Sequence, residues 1–441
     1  MTDAKRILHS RFAESIPSAG PLSFPPFSLA PGSLARVLAA VICLGACVQS
    51  AVASSVVAQP AGGSGTELRT EHYDLYVEGL DAAEVGNMLE QLHAQLTRYF
   101  GSAPSGRLPL ALYATREKWA AALQADGQAV LYAGGYYAPA TRKAYVWVQP
   151  SAYFTRHVLL HEATHQFHWL TSTGNQFPST NWYTEGLAEY FAMHNWDGRR
   201  LQTGVIPAIT LEDYPAKALW KFEAAGSDLG AMLPRAGRPE SWALVHFLVN
   251  KYPDQFRQLS AGLDQRADAD ETWKRAFGRD YASFSQEYRE WIVSHSQPWQ
   301  IVWIGWQQRG EAIESESKAN AMTILKQTPQ ALTVDIQPQT AGGAAGLVFA
   351  YQSPTEFHLF QVIGDHKIRI MHRQGGAWAT VSESDLKRGN GDDVLKVSQE
   401  GGSTTLWANG EKIATLPTTG RVGLSVDGCR TLFRVREVAG G

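Results

Sequence analysis

Along the chain, the spacing of apolar residues changes period several times. The residues Tyr73 to Val77 alternate as a strand, Ala82 to Tyr99 carry helical periodicity, Leu108 to Tyr113 read as a strand and Arg116 to Gln124 as a short helix. Tyr136 to Val148, rich in aromatic and β-branched residues, predicts a hairpin or a pair of strands. From Ser151, placed to cap it, a helix without internal proline extends through Thr171. Thr180 or Asn181 can cap a second helix running to about His194, and Glu240 to Asn250 and Tyr281 to His295 predict two more.

Beyond Ser296 the helical period disappears. Short apolar runs at Ala331 to Ile336, Ala345 to Tyr351, Phe357 to Val362, Lys367 to Met371 and Val394 to Val397 are separated by turn residues. Asn409-Gly410 stands between two strand-like runs, a strong hairpin signal, and Gly420 to Leu424 opens another strand. About ten short strands in this length predict a β-sandwich. The expected organisation is multidomain: a signal segment over 1–53, a flexible linker over 54–65, an α+β domain over 66–297 and an all-β sandwich over 298–441.

The signal segment is inferred from the apolar run Val37 to Val48, which follows Arg36 and precedes Ala51-Val52-Ala53. At about twelve residues it falls short of the roughly 20 that a stable transmembrane helix needs, so export is expected rather than a stable span. Leu44-Gly45-Ala46-Cys47 also matches a lipobox, which would leave a lipid-anchored form on Cys47. Only Cys429 lies beyond these segments, so no disulfide framework is expected. A formal net charge of −3, with no nucleic-acid-binding signature, argues against a phosphate backbone as partner.

Chemistry concentrates on the first of the capped helices. His161-Glu162-Ala163-Thr164-His165 has the form H-E-x-x-H. Two histidines four apart on a helix lie about 40° around the axis and one turn along, so both imidazoles can reach one ion. Glu162 lies on the flank of that face, where its carboxylate can take a proton from a metal-bound water. The next helix begins Asn181-Trp182-Tyr183-Thr184-Glu185-Gly186-Leu187-Ala188-Glu189-Tyr190 and brings a carboxylate twenty positions after His165, an interval that suits an antiparallel helix pair. His157 and His168 share the ligand stripe but are read as packing or supporting groups, since a four-histidine site is unusual for catalytic zinc. Tyr183 is read either as an oxyanion donor or as a core aromatic.

H-E-x-x-H followed by W-x-x-E-G-L-A-E-Y resembles the gluzincins, the thermolysin-like clan of zinc peptidases, loosely from Glu71 to His295. The resemblance implies a zincin-like fold, Zn²⁺ held by His161, His165 and Glu185 with a fourth position for water, and Glu189 orienting a ligand histidine. It further implies peptide-bond hydrolysis with Glu162 as general base, and a strand at Lys143 to Gln149 that aligns a peptide or protein substrate. No Gly-Ala-Met-Glu-Asn motif is present, which favours an endopeptidase. The C-terminal sandwich resembles concanavalin-like jelly-roll modules, whose aromatics, here Trp378 and Trp407, could stack on a sugar ring of a glycan or cell-surface ligand. Two other readings fit the same residues: a zinc hydrolase of non-peptide amide bonds, for instance in cell-wall material, and a non-catalytic, zinc-stapled surface- or carbohydrate-binding protein.

Overall fold

A computed structural model describes residues 65–130, 133–178, 180–210, 212–315, 320–364, 367–387 and 391–440. The expected signal segment and all but the last residue of the linker lie outside them.

The α+β part opens with β1 (Thr66–Arg69), β2 (Tyr73–Val77), α1 (Ala82–Phe100), β3 (Leu108–Tyr113), α2 (Arg116–Ala125), β4 (Gly135–Ala138) and β5 (Lys143–Trp147). These strands form one sheet in the order β1-β2-β3-β5-β4. The pairs β2–β3 and β3–β5 are parallel; the two outer strands run antiparallel to their neighbours. The ligand helix α3 (Ala152–Thr171) follows, capped by the Ser151 hydroxyl, which accepts from Phe154 N at 3.1 Å. It is buried on nearly every side from Tyr153 to His168, so its polar residues have to find partners inside the protein.

Next come α4 (Asn181–Ala192), the small hairpin β6 (His194–Trp196) and β7 (Leu201–Thr203), and then α5 (Tyr214–Ala224), α6 (Leu229–Met232), α7 (Arg238–Lys251), α8 (Pro253–Asp264), α9 (Ala269–Phe277) and α10 (Ser285–Ser294). Helices α5, α8 and α9 were not read from the sequence. Each has a marked polar side, and α5 and α8 begin on a proline within the first turn. Thr180 is the N-cap of α4, but its side chain makes no capping bond.

The sandwich consists of β8 (Trp299–Trp303), β9 (Trp306–Arg309), β10 (Ala312–Ser315), β11 (Ala321–Leu325), β12 (Ala331–Pro338), β13 (Ala344–Ser353), β14 (Glu356–Ile363), β15 (Lys367–Gln374), β16 (Ala377–Asp385), β17 (Asp393–Glu400), β18 (Ser403–Ala408), β19 (Glu411–Leu416), β20 (Arg421–Asp427) and β21 (Thr431–Ala439). They form two seven-stranded antiparallel sheets, ordered β16-β15-β14-β13-β20-β11-β8 and β19-β18-β17-β12-β21-β10-β9. Fourteen strands replace the expected ten or so, mainly because the stretch before Ala331 pairs as β8 to β11. The Asn409-Gly410 turn joins β18 to β19, with φ of 50° and 82° at its two central residues, the left-handed pair such a hairpin demands. Among the described residues no helix is long and apolar enough to cross a membrane.

Polar contacts hold the sandwich to the ligand helix. Arg156 on α3 donates to Gln307 Oε1 at 2.6 Å, and Gln307 Nε2 donates to Glu314 Oε2 at 2.6 Å. Glu314 is fully buried and also pairs with Arg309 and Arg430. Asn195 closes a two-way hydrogen bond with the backbone of Gly310, both arms 2.9 Å, and Ile209 is buried in the sandwich core.

Helices α4 and α7 cross tightly at Gly186, where an added Cβ would fall 2.4 Å from the Ser241 carbonyl oxygen. Gly186→Ala is therefore expected to force the two helices apart and cost about 1–3 kcal/mol. The check is a lower midpoint in chemical or thermal unfolding; an unchanged midpoint would mean that the crossing relaxes freely.

Candidate metal centre

Three of the residues singled out from the sequence converge. His161 Nε2 and His165 Nε2 lie 3.0 Å apart, and the two oxygens of Glu185 lie 3.6 Å and 3.5 Å from them respectively. A tetrahedral cation with bonds near 2.0–2.1 Å needs donors separated by about 3.3 Å, so the spacing suits an ion of the size of Zn²⁺. Both imidazoles are in the neutral, ligand-ready form: burial, and then Arg238, push His161 down to about 4, while burial and His168 push His165 down to about 3.

Glu162 stands beside the triad and is not one of the three grouped donors. Its Oε2 accepts from the backbone N–H of Tyr137 on β4 at 2.8 Å. Gly135, two residues earlier, makes that approach possible, since a Cβ there would lie 2.6 Å from Glu162 Cγ and 2.7 Å from Val158 Cγ1. Burial and the neighbouring Glu185 carboxylate raise the Glu162 pKa to about 8. The sheet strand beside Glu162 is thus β4, at the sheet edge. The Lys143 to Gln149 segment, expected to border the site, is instead largely β5, enclosed between β3 and β4.

Glu189, one turn beyond Glu185, is fully buried, and its Oε1 lies 3.0 Å from His161 Nδ1. A proton on Nδ1, the nitrogen facing that oxygen, leaves the Nε2 lone pair of His161 for an ion. Its other oxygen is 2.9 Å from His157 Nε2, while Arg238 Nε donates to Oε1, the oxygen that also faces His161. Burial opposes the charge on Glu189, but Arg238, His157 and His161 outweigh it and hold the carboxyl well below its ordinary range. His157 therefore braces Glu189 and takes no place in the donor triad. His168 Nε2 pairs with Asp264 at 2.8 Å, and the Tyr183 hydroxyl donates to the same carboxylate at 3.1 Å. Tyr183 is thereby committed to the core and is not available as an oxyanion donor.

Sequence reasoning missed Arg238, which lies 53 positions beyond Glu185. One signal was available: an arginine as the first residue of a helix opposes the helix dipole and calls for a compensating anion.

Neither a family model nor a curated protein matches the chain. Solved structures do match, several of them over about a third of this chain, the proportion that the sandwich occupies. A carbohydrate-binding module, CBM66, from Bacillus subtilis is 19% identical over 31% of this chain and 93% of its own, with a TM-score of 0.28. The GH43 protein BlXynB from Bacillus licheniformis is 15% identical over 33% of this chain and 37% of its own, with a TM-score of 0.27. The β-glucanase of Bacillus licheniformis is 11% identical over 32% of this chain and 92% of its own, with a TM-score of 0.26. Likenesses this remote assign no activity.

These results correct the gluzincin expectation. Among the structures matched are a carbohydrate-binding module, glycosyl hydrolases, a galectin and a functionally unknown protein from Saccharomyces cerevisiae, and no zincin or peptidase is found. Membership of the gluzincins, peptide-bond hydrolysis and the class of zinc metallopeptidase are therefore withdrawn, along with a peptide or protein as substrate. The physical reason is the short reach of the motif: two helices fix where three donor groups and one base meet, and they say nothing of which bond is presented to them.

Of the two tryptophans read as sugar platforms, Trp407 lines a shallow cavity of about 350 Å³ with Thr333, Lys396 and Ser398. Trp378 stands 43% exposed on the other sheet.

Two outcomes follow from the centre. At pH 7 Glu162, raised to about 8, is largely protonated, and an adjacent cation favours its ionised form. Zinc uptake at pH 7 is thus expected to expel about one proton from the Glu162–Glu185 pair, fewer in Glu162→Gln, read by calorimetry in buffers of different ionisation enthalpy. Glu189→Gln is expected to weaken zinc binding by about tenfold or more, measured by competition with a chromophoric chelator.

Proposed function

We propose that the protein is an exported metal-dependent hydrolase of a non-peptide amide bond in glycan-containing material such as cell-wall polymer, with the sandwich as its polymer-binding part. The observation that carries this reading is the meeting of His161, His165 and Glu185 with Glu162, a fourth group that a purely structural ion site does not require.

Bound at the triad, zinc would supply Lewis-acid polarisation and a water of lowered pKa. The chain's own residues do the rest. Glu162, its carboxyl turned by the Tyr137 N–H, accepts the proton of the attacking water and returns it to the departing amine nitrogen. Glu189 and Arg238 keep His161 in one tautomer and orientation throughout. Near-complete burial of Glu162, His161 and His165 keeps competing solvent away from the proton transfer.

The test is release of new amines, or of acetate, from N-acylated glycans and peptidoglycan by the zinc-loaded chain. Turnover is expected to disappear on chelation and return with zinc. Glu162→Gln should retain the metal and lose about 10²–10⁴-fold in rate. Zinc binding without turnover on any of these substrates would refute the enzyme and leave a metal-stapled glycan-binding protein.

A further inference from the structure

The sheet containing β8, β11, β13 to β16 and β20 carries a second apolar cluster, separate from the sandwich core. It comprises Met322, Ile324, Val348, Tyr351, Phe357 and Leu359, with Val302, Trp303 and Met371 packed against it. Trp303 and Phe357 have ring centroids only 5.8 Å apart, although β8 and β14 are separated by three strands in the sheet. Four strand spacings span about 19 Å on a flat sheet, so this face is strongly curved and its aromatic residues close over it.

Aromatic rings and guanidinium groups alternate on this face. Arg373 lies 5.6, 5.9 and 5.2 Å from the ring centroids of Trp303, Phe357 and Trp378, and Arg421 lies 5.1 Å from that of Tyr351. Tyr351 in turn lies 6.0 Å from Phe357. The charge on these arginines is uncompensated: among the described residues neither has a carboxylate within 4.0 Å, and Arg421 bonds only to the Gln300 amide. By contrast Arg309, Arg430, Arg434 and Arg436, on the other sheet or beside it, each pair with an aspartate or glutamate. Arg373 Nε is shielded from solvent and has no hydrogen-bond partner.

We propose that this face binds an acidic polysaccharide of the uronate type, with Trp378 stacked on the apolar face of a sugar ring and Arg373 and Arg421 holding carboxylates. A guanidinium meets a carboxylate through two parallel hydrogen bonds, and the aromatic neighbours keep it in place for that contact. Nucleic acid fits the face poorly: Glu383 pairs with Lys367 and stands opposite Arg369 on the neighbouring strand, which interrupts any charged track, and the chain is net negative. The inference rests on the glycan-directed part of the proposed function and needs nothing of the metal centre.

The experiment is affinity electrophoresis of the full chain carrying Glu162→Gln, so that no polymer is cut, in gels containing polygalacturonate, alginate, dextran or polyphosphate. Retardation by a uronate polymer is expected, absent with dextran and weaker at about 0.5 M salt, where charges are screened within a few ångström. Arg373→Gln and Trp378→Ala should each raise the apparent Kd about tenfold with the unfolding midpoint unchanged. Absence of retardation by either uronate polymer overturns the proposal. So do equal retardation by dextran, stronger retardation by polyphosphate, or unchanged binding in Arg373→Gln. Turnover by the wild type without polymer retention would remove this face alone, whereas retention without turnover would remove the hydrolase alone.

Discussion

The buried carboxylate of Glu189 is the interaction on which the centre depends. It has no access to water, so its charge persists only because His157 and His161 on one helix and Arg238 on another converge on it. Three helices are thereby tied at a single point. The same turn of α4 supplies Glu185 to the ion site and Gly186 to the close crossing with α7. One helical turn therefore provides a candidate ion donor, a tight backbone contact and a charge clamp.

The half of the site that is local in the chain was legible in the sequence. The spacing of His161, Glu162 and His165 states their relation on a helix, and the interval to Glu185 allows the return of an antiparallel partner. The other half depends on distant chain segments. The glycine-aromatic run Gly134 to Tyr137 reads equally as a cleft wall or an ordinary hairpin and does not say that its backbone would cradle Glu162, and Arg238 reaches Glu189 only through the packing of α7 on α4. His157 and His168 show how far helical phase can be trusted. They share the ligand stripe, yet His157 is taken up by Glu189 and His168 by Asp264.

In the sandwich, local turn chemistry was similarly informative. Asn409-Gly410 fixed one hairpin because both residues accept the left-handed conformation that its turn demands. The strands before Ala331 escaped notice because β10 and β11 are buried at every position and show no alternation of polar and apolar residues. Whether an arginine is paired cannot be read along the chain at all. Arg373 and Arg436 look alike in sequence, and only strand register sets Arg373 among aromatic rings and Arg436 beside Asp335.

The Arg156–Gln307–Glu314 relay and the placing of Ile209 within the sandwich core leave little play between the sandwich and the ligand helix. Only four residues connect α10 to β8, and one of them, Gln297, is itself buried and bonded to Thr210 and Pro207. Modules joined by a flexible linker sweep a volume and sample many positions. Here the His161–His165–Glu185 group keeps a constant bearing and distance from the sandwich, as the jaw of a gauge does from its stop. For a polymer held as proposed, the register at which it meets the centre is then a property of the fold.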